Sequence, residues 1–188
     1  NRKSFTIIEA ICAEGSHPPP PVIIYSGEKI IKSWVHENLT GTEVITVSPT
    51  GYTNETIALA LLNHFIKHVG AGPDQHWHIL LLDDHITYHQ DDFIIKCHKN
   101  YIVPFKFPSH LIHVLQPLDV GVLRPWQHYH NKAINHALHS LEIQYTISSF
   151  FYDVGSICEQ TFQPHTIKNS FEDSGMFPVS YKVALKKI

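Results

Sequence analysis

Residues 76–85 read HWHILLLDDH, a run of aliphatic side chains that ends in two adjacent carboxylates and a histidine. A half-buried strand would alternate apolar and polar residues; this one is apolar on both faces, as expected of a central strand covered on both sides. The flanks agree with that reading. Before it, TNETIALALLNHFIKHVG over residues 53–70 places Ile57, Leu61, Leu62, Phe65, Ile66 and Val69 on one helical stripe, with Thr53 or Asn54 as cap and Gly70 as stop. After it, DDFIIKCHKN predicts a helix ending near Asn100, and YIVPFKF a second strand interrupted by Pro104. Strands alternating with helices predict an α/β sheet with helices on both faces.

The amino-terminal part adds antiparallel pairing. Apolar stretches over residues 5–12 and 22–25 flank Gly15, Ser16 and four prolines at 18–21, so the prolines belong to the connection and the flanks pair as a ribbon. The whole predicts a mixed sheet. From Leu118 to about Glu142 a helix is expected, kinked or restarted at Pro125. The tail beyond Thr146 is broken by Gly155, Pro164, Gly175 and Pro178 and reads as short helices wrapped on the body.

At 188 residues the chain fits one domain, and residues 1–188 are read as a single, partial one, since Asn1 stands where an initiator Met would be. No apolar run reaches the roughly 20 residues that cross a bilayer, so no membrane partner is expected. Cys12, Cys97 and Cys158 are odd in number and lack close spacing, which argues against a disulfide framework or a thiolate metal site. A net charge of −3 does not suggest a nucleic-acid partner, although 16 histidines add positive charge below neutral pH.

Ligand and catalytic groups in open α/β sheets collect at the carboxyl ends of strands, where Asp83 and Asp84 stand. Alternation puts Asp83 on the face of Ile79 and Leu81 and Asp84 on the other, so at most one points into a given site; periodicity does not choose between them. A further acid, Asp119, follows 36 positions later in HVLQPLDVGVLRPW. Alone it reads first as a helix-start aspartate satisfying free N–H groups.

Taken together, PPPVIIYSG, SPTGYTNE, LLLDDH, FPSHLIHVLQPLDVGV and DSGMFP, in that order, resemble the catalytic core of the pogo-like branch of the mariner superfamily of DDE/DDD-type transposases, which includes the jerky and centromere protein B relatives. The resemblance implies an RNase H-like fold and a DNA substrate cut and joined with divalent metal, Mg²⁺ or Mn²⁺. It also implies a nuclear location and a homodimer within a transposition complex. Hard carboxylate oxygens suit Mg²⁺, and paired ions stabilise both the attacking and the leaving oxygens of an in-line phosphoryl displacement. By match to the motifs, Asp83 and Asp119 take the second and third catalytic, metal-binding positions. His85, His110, His113 and Gln116 fall in the same motifs as residues that shape the site or contact phosphate, with a structural role open for each. The first acid would lie on a first strand upstream of Asn1, together with a DNA-binding region, so this chain is expected to be inactive by itself. Two other readings stand beside this one: a domesticated module that binds DNA or protein without chemistry, and an RNase H-like nuclease of other purpose.

Asp84, Tyr88, Ser109, Leu111 and Ile112 stand where the family has Gly, His, Pro and Ser or Thr. All are changes that C-to-T transitions produce, which reads as a decaying element copy; the nucleotide sequence tests it. Lys96, Lys99, Lys106 and Arg124 are candidate DNA-backbone contacts or scattered surface cations. His128, His130, His136 and His139 crowd one predicted helix and read as solvated or core-edge residues rather than a zinc site.

Overall fold

A computed structural model describes residues 5–16, 19–34, 39, 41–83, 85–139 and 144–187. Its strands fall into two groups. Strand β1 (Phe5–Ile8) pairs antiparallel with β2 (Val22–Ser26), which pairs parallel with β3 (Val44–Ser48). Separately, β4 (His78–Leu82) pairs parallel with β5 (Ile102–Lys106), Leu82 standing opposite Lys106. The fold is thus mixed α/β, compatible with an RNase H-like domain. The opening ribbon forms as expected, with β1 ending at Ile8.

Helix α1 (Glu55–Val69) is capped by Asn54, whose side chain accepts from the Ile57 N–H, and is stopped by Gly70 in the left-handed region at φ 67°. With α2 (Asp91–Lys99) it covers one face of β4–β5, where Leu62, Phe93, Cys97 and Ile102 form a core that Leu80 and Leu82 join. The opposite face carries Ile79, 70% exposed, and Phe105, 51% exposed. The expectation that β4 is central and covered on both faces is therefore corrected: among the described residues it has one strand neighbour and one helical cover.

Pro104 does not interrupt β5. Backbone bonds from His78 N–H to Tyr101 O (2.9 Å) and from Phe107 N–H to Leu82 O (3.0 Å) fix which residues face the neighbouring strand. By alternation Pro104, with no N–H to give, has its nitrogen on the outer edge, where nothing is lost.

The sheet β1–β3 is covered by α5 (Ile147–Thr161), a long helix where short pieces are expected. Gly155 lies inside it. An interior glycine costs a helix about 1 kcal/mol relative to alanine, and here Phe150, Phe151 and Val154, all nearly inaccessible, outweigh that cost by packing on Ile23, Tyr25 and Trp34. Short α3 (Ile112–Leu115), a wider turn over Leu118–Val122, α4 (Leu123–His139), α6 (Pro164–Ser174) and α7 (Tyr181–Leu185) are joined by single helical turns at Lys32–Trp34, Ile86–His89 and Ser109–Leu111 among the described elements. The kink or restart expected at Pro125 takes the form of that wide turn, which runs straight into α4 and ends three residues ahead of the proline.

Candidate active site

Asp83 directly follows β4, at the carboxyl end of a parallel pair. Its Oδ1 accepts from the His85 N–H at 3.3 Å. The His85 ring is held in turn: the Thr87 N–H donates to Nδ1 at 3.4 Å and the Thr87 hydroxyl lies 2.8 Å from the same nitrogen. A backbone N–H only donates, so Nδ1 accepts and the neutral ring carries its proton on Nε2. Beneath lies Tyr88, buried against His85 and Phe93; its phenol is pushed up to about 12 by burial and then by the charge of Asp83. Asp84 lies outside the described residues, so the expectation about its direction has no structural counterpart.

Asp119 is delivered by the wide turn. The Leu123 N–H reaches back five residues to Leu118 O, a π-type bond that bulges the helix where the acid sits. The bulge is locked from outside by Gly121. A Cβ there would lie 2.6 Å from Ser170 Cβ and 2.8 Å from Ser170 Cα, so only hydrogen fits against α6. Burial raises the Asp119 carboxyl above the ordinary range, the negative charge of Asp83 raises it further, and His113 opposes both. The charge of Asp83 therefore reaches an acid 36 positions away in the chain, in a half-buried site.

The other candidates separate into near and far. His113, on α3, is exposed yet close enough for its charge to reach Asp119. Gln116 closes α3, takes the Val120 N–H on its carbonyl at 3.0 Å, and so positions the turn that holds the acid. His110 is exposed on the single turn Ser109–Leu111, with no described contact to the acids. Among the cations, Lys106 stands one register step from Asp83 through its pairing with Leu82. Lys96 and Lys99 lie on α2, and Arg124 is exposed on α4. On α4, His130 packs at the core edge against Trp126, Tyr145 and Phe150, and burial lowers its pKa.

Sequence reasoning missed Glu9. It extends the row Phe5, Ile7, Glu9 on the side of β1 that faces α5, and accepts from the Cys158 thiol at 3.6 Å. Burial pushes its carboxyl up to about 8, against a smaller lowering by that thiol. The signal was the strand period of two, which places Glu9 inward.

The model of the DDE superfamily endonuclease family matches residues 1–171. The chain belongs to this family. A curated relative of this DDE superfamily endonuclease domain, "MFS-type transporter clz9" of Cochliobolus lunatus, is 27% identical over 188 residues, covering 100% of the chain and 20% of that protein. The chain thus spans a fifth of its relative's length. Among the described residues no helix is long and apolar enough to cross a membrane. No solved structure matches.

Metal chemistry is tested by the donor set. Among the described residues no group of three or more His, Cys, Asp or Glu side chains converges. What the structure does bring within electrostatic reach is Asp83 and Asp119, the charge of Asp83 raising the Asp119 carboxyl, and a divalent cation held by both would relieve that effect. Hard oxygens of this kind fit Mg²⁺ or Mn²⁺, which retain water in their remaining positions. The described residues fit one such ion and do not supply the ligands for two.

Proposed function

We propose that this domain is part of the catalytic core of a pogo-like DDE-type transposase, whose full protein cuts and rejoins DNA with divalent metal in the nucleus. The observation that carries the reading is the coupling of Asp119 to Asp83 at the end of a parallel strand, within two motifs that match the pogo-like branch in order. Asp83 and Asp119 are the ligands. A bound Mg²⁺ or Mn²⁺ would supply electrostatic stabilisation of the phosphate oxygens. The chain's own groups do the rest. The bond from His85 N–H orients Asp83, and His85 Nε2–H stands as a donor. Gln116 and Gly121 hold the turn of Asp119.

With two acids, the domain holds one ion and does not cleave by itself; in the full protein, a third carboxylate from an upstream strand completes the set, and the core works on DNA as a homodimer. The test has two arms. Titration of Mn²⁺ into the chain, followed by its paramagnetic resonance, gives a saturable site that Asp83→Asn and Asp119→Asn each weaken by roughly tenfold or more. Metal-dependent nicking of DNA by the full-length protein is lost in Asp83→Ala and Asp119→Ala. Unchanged Mn²⁺ binding together with unchanged nicking in these variants would remove the assignment.

A further inference from the structure

Helix α1 carries two histidines one turn apart, His64 half-buried and His68 exposed, with ring centroids 4.3 Å from one another. Positions i and i+4 share a helix face, so the two imidazoles stand side by side. Each ring has one nitrogen already engaged. His64 Nε2 lies 2.8 Å from Pro20 O, in the connection between β1 and β2, and His68 Nδ1 lies 2.9 Å from His64 O. A carbonyl only accepts, so both of those nitrogens donate, and this fixes where the proton sits in each neutral ring. The lone pairs are left on Nδ1 of His64 and Nε2 of His68, and neither nitrogen has a hydrogen-bond partner among the described residues. Burial lowers the His64 pKa, while the Pro20 bond opposes that lowering, so near neutral pH the ring is uncharged, as a metal ligand must be.

We infer that His64 and His68 form a two-imidazole site for a divalent ion of the zinc class, separate from the pair of acids and independent of it. Two adjacent lone pairs attract a cation and repel an anion. Imidazole nitrogen suits Zn²⁺, Cu²⁺ and Ni²⁺, whereas Mg²⁺ takes hard oxygens such as those of Asp83 and Asp119. A metal-bound histidine almost always gives its second N–H to a carbonyl, a carboxylate or water, and both rings here already give theirs to carbonyls. Among the described residues no third His, Cys, Asp or Glu joins the pair, so water holds the remaining positions and the ion exchanges freely. A closed structural zinc site has four protein ligands; this one has two. Its place gives the ion an effect on the fold. Helix α1 packs on β4 and β5 while Pro20 leads into β2, so the bond from His64 to Pro20 ties the two groups of strands together. An ion on Nδ1 draws charge from the ring, makes the Nε2–H a stronger donor and tightens that tie.

The test is a titration of Zn²⁺ into the chain carrying isotopically labelled histidine, followed by NMR of the ring nitrogens. The first equivalent should shift His64 Nδ1 and His68 Nε2, leave the protonated nitrogens protonated, and slow the solvent exchange of the His64 Nε2 proton. His68→Gln removes a ligand at an exposed position and should weaken Zn²⁺ binding by roughly tenfold or more. Lys67, whose charge reaches His64, opposes the ion, so Lys67→Gln should strengthen binding. Mg²⁺ at the same concentrations should leave both rings unmoved. Asp83→Asn should leave Zn²⁺ binding unchanged, which separates a failure of this site from a failure of the acids. Uptake of the first equivalent by other histidines or by cysteine, unchanged affinity in His68→Gln, or ring protons found on His64 Nδ1 and His68 Nε2 would each overturn the proposal.

Discussion

Strands β2 and β4 have nearly interchangeable compositions, VIIYS and HILLL, and opposite surroundings. Val22, Ile23, Ile24 and Tyr25 are all buried because β2 has a strand on each side and α5 beneath. In β4 no residue is fully buried and Ile79 is largely bare. The difference lies in neighbours and not in residue type. Aliphatic content records the environment a strand is suited to, and β4 is suited to more cover than the described residues give it.

The comparison can be broken most sharply in the cores. Phe151→Ala, beneath β2, should cost about 3–5 kcal/mol, whereas Ile79→Ser should stay within about 0.5 kcal/mol; urea unfolding measures both. Comparable losses would mean that β4 is as well packed as β2. The next effect concerns Glu9, on the seam between the halves. Its carboxyl is raised from 4.5 to about 8, so the folded state retains a proton that the unfolded chain releases. Stability is therefore highest below about pH 4.5 with respect to this group, and falls as pH climbs from there to about 8. The fall amounts to roughly 2–4 kcal/mol once partial solvent access is allowed for. Glu9→Gln should flatten that slope in pH-dependent denaturation, and a slope that persists would place the titration elsewhere.

Gly121 sharpens the comparison at the other half. Gly121→Ala should cost about 1–3 kcal/mol by overpacking, and Ser170→Gly in the same chain should recover part of it; thermal melts of the three variants decide this. The smallest effect is electrostatic. Asp83→Asn should lower the pKa of Asp119 toward the ordinary carboxylate range, read by carbon NMR of the side-chain carboxyl, because one of the two influences that raise it is gone. An unmoved titration would show that burial alone sets it.

What could be read from residues in order was local or periodic. The capped helix α1, the antiparallel ribbon, the two parallel strands and the placing of Asp83 at a strand end all follow from spacing, and the structure reproduces them. What could not be read was tertiary. Gly155 looks like a breaker until its neighbours Phe150, Phe151 and Val154 are seen to be buried. Glu9 falls on the inward side by the strand period of two, but that Cys158 of α5 lies beside it is known only from the fold. The bulge that carries Asp119 depends on a helix 50 residues downstream of it, which no local pattern announces.

The contact between Gly121 and Ser170 bears on how such a site is lost. Only a hydrogen atom at position 121 fits between the turn of Asp119 and α6, so any side chain there forces the turn or the helix to shift while leaving the acid itself unaltered. A copy of this gene could keep both aspartates intact and still have lost its site, and an inventory of acids would miss it.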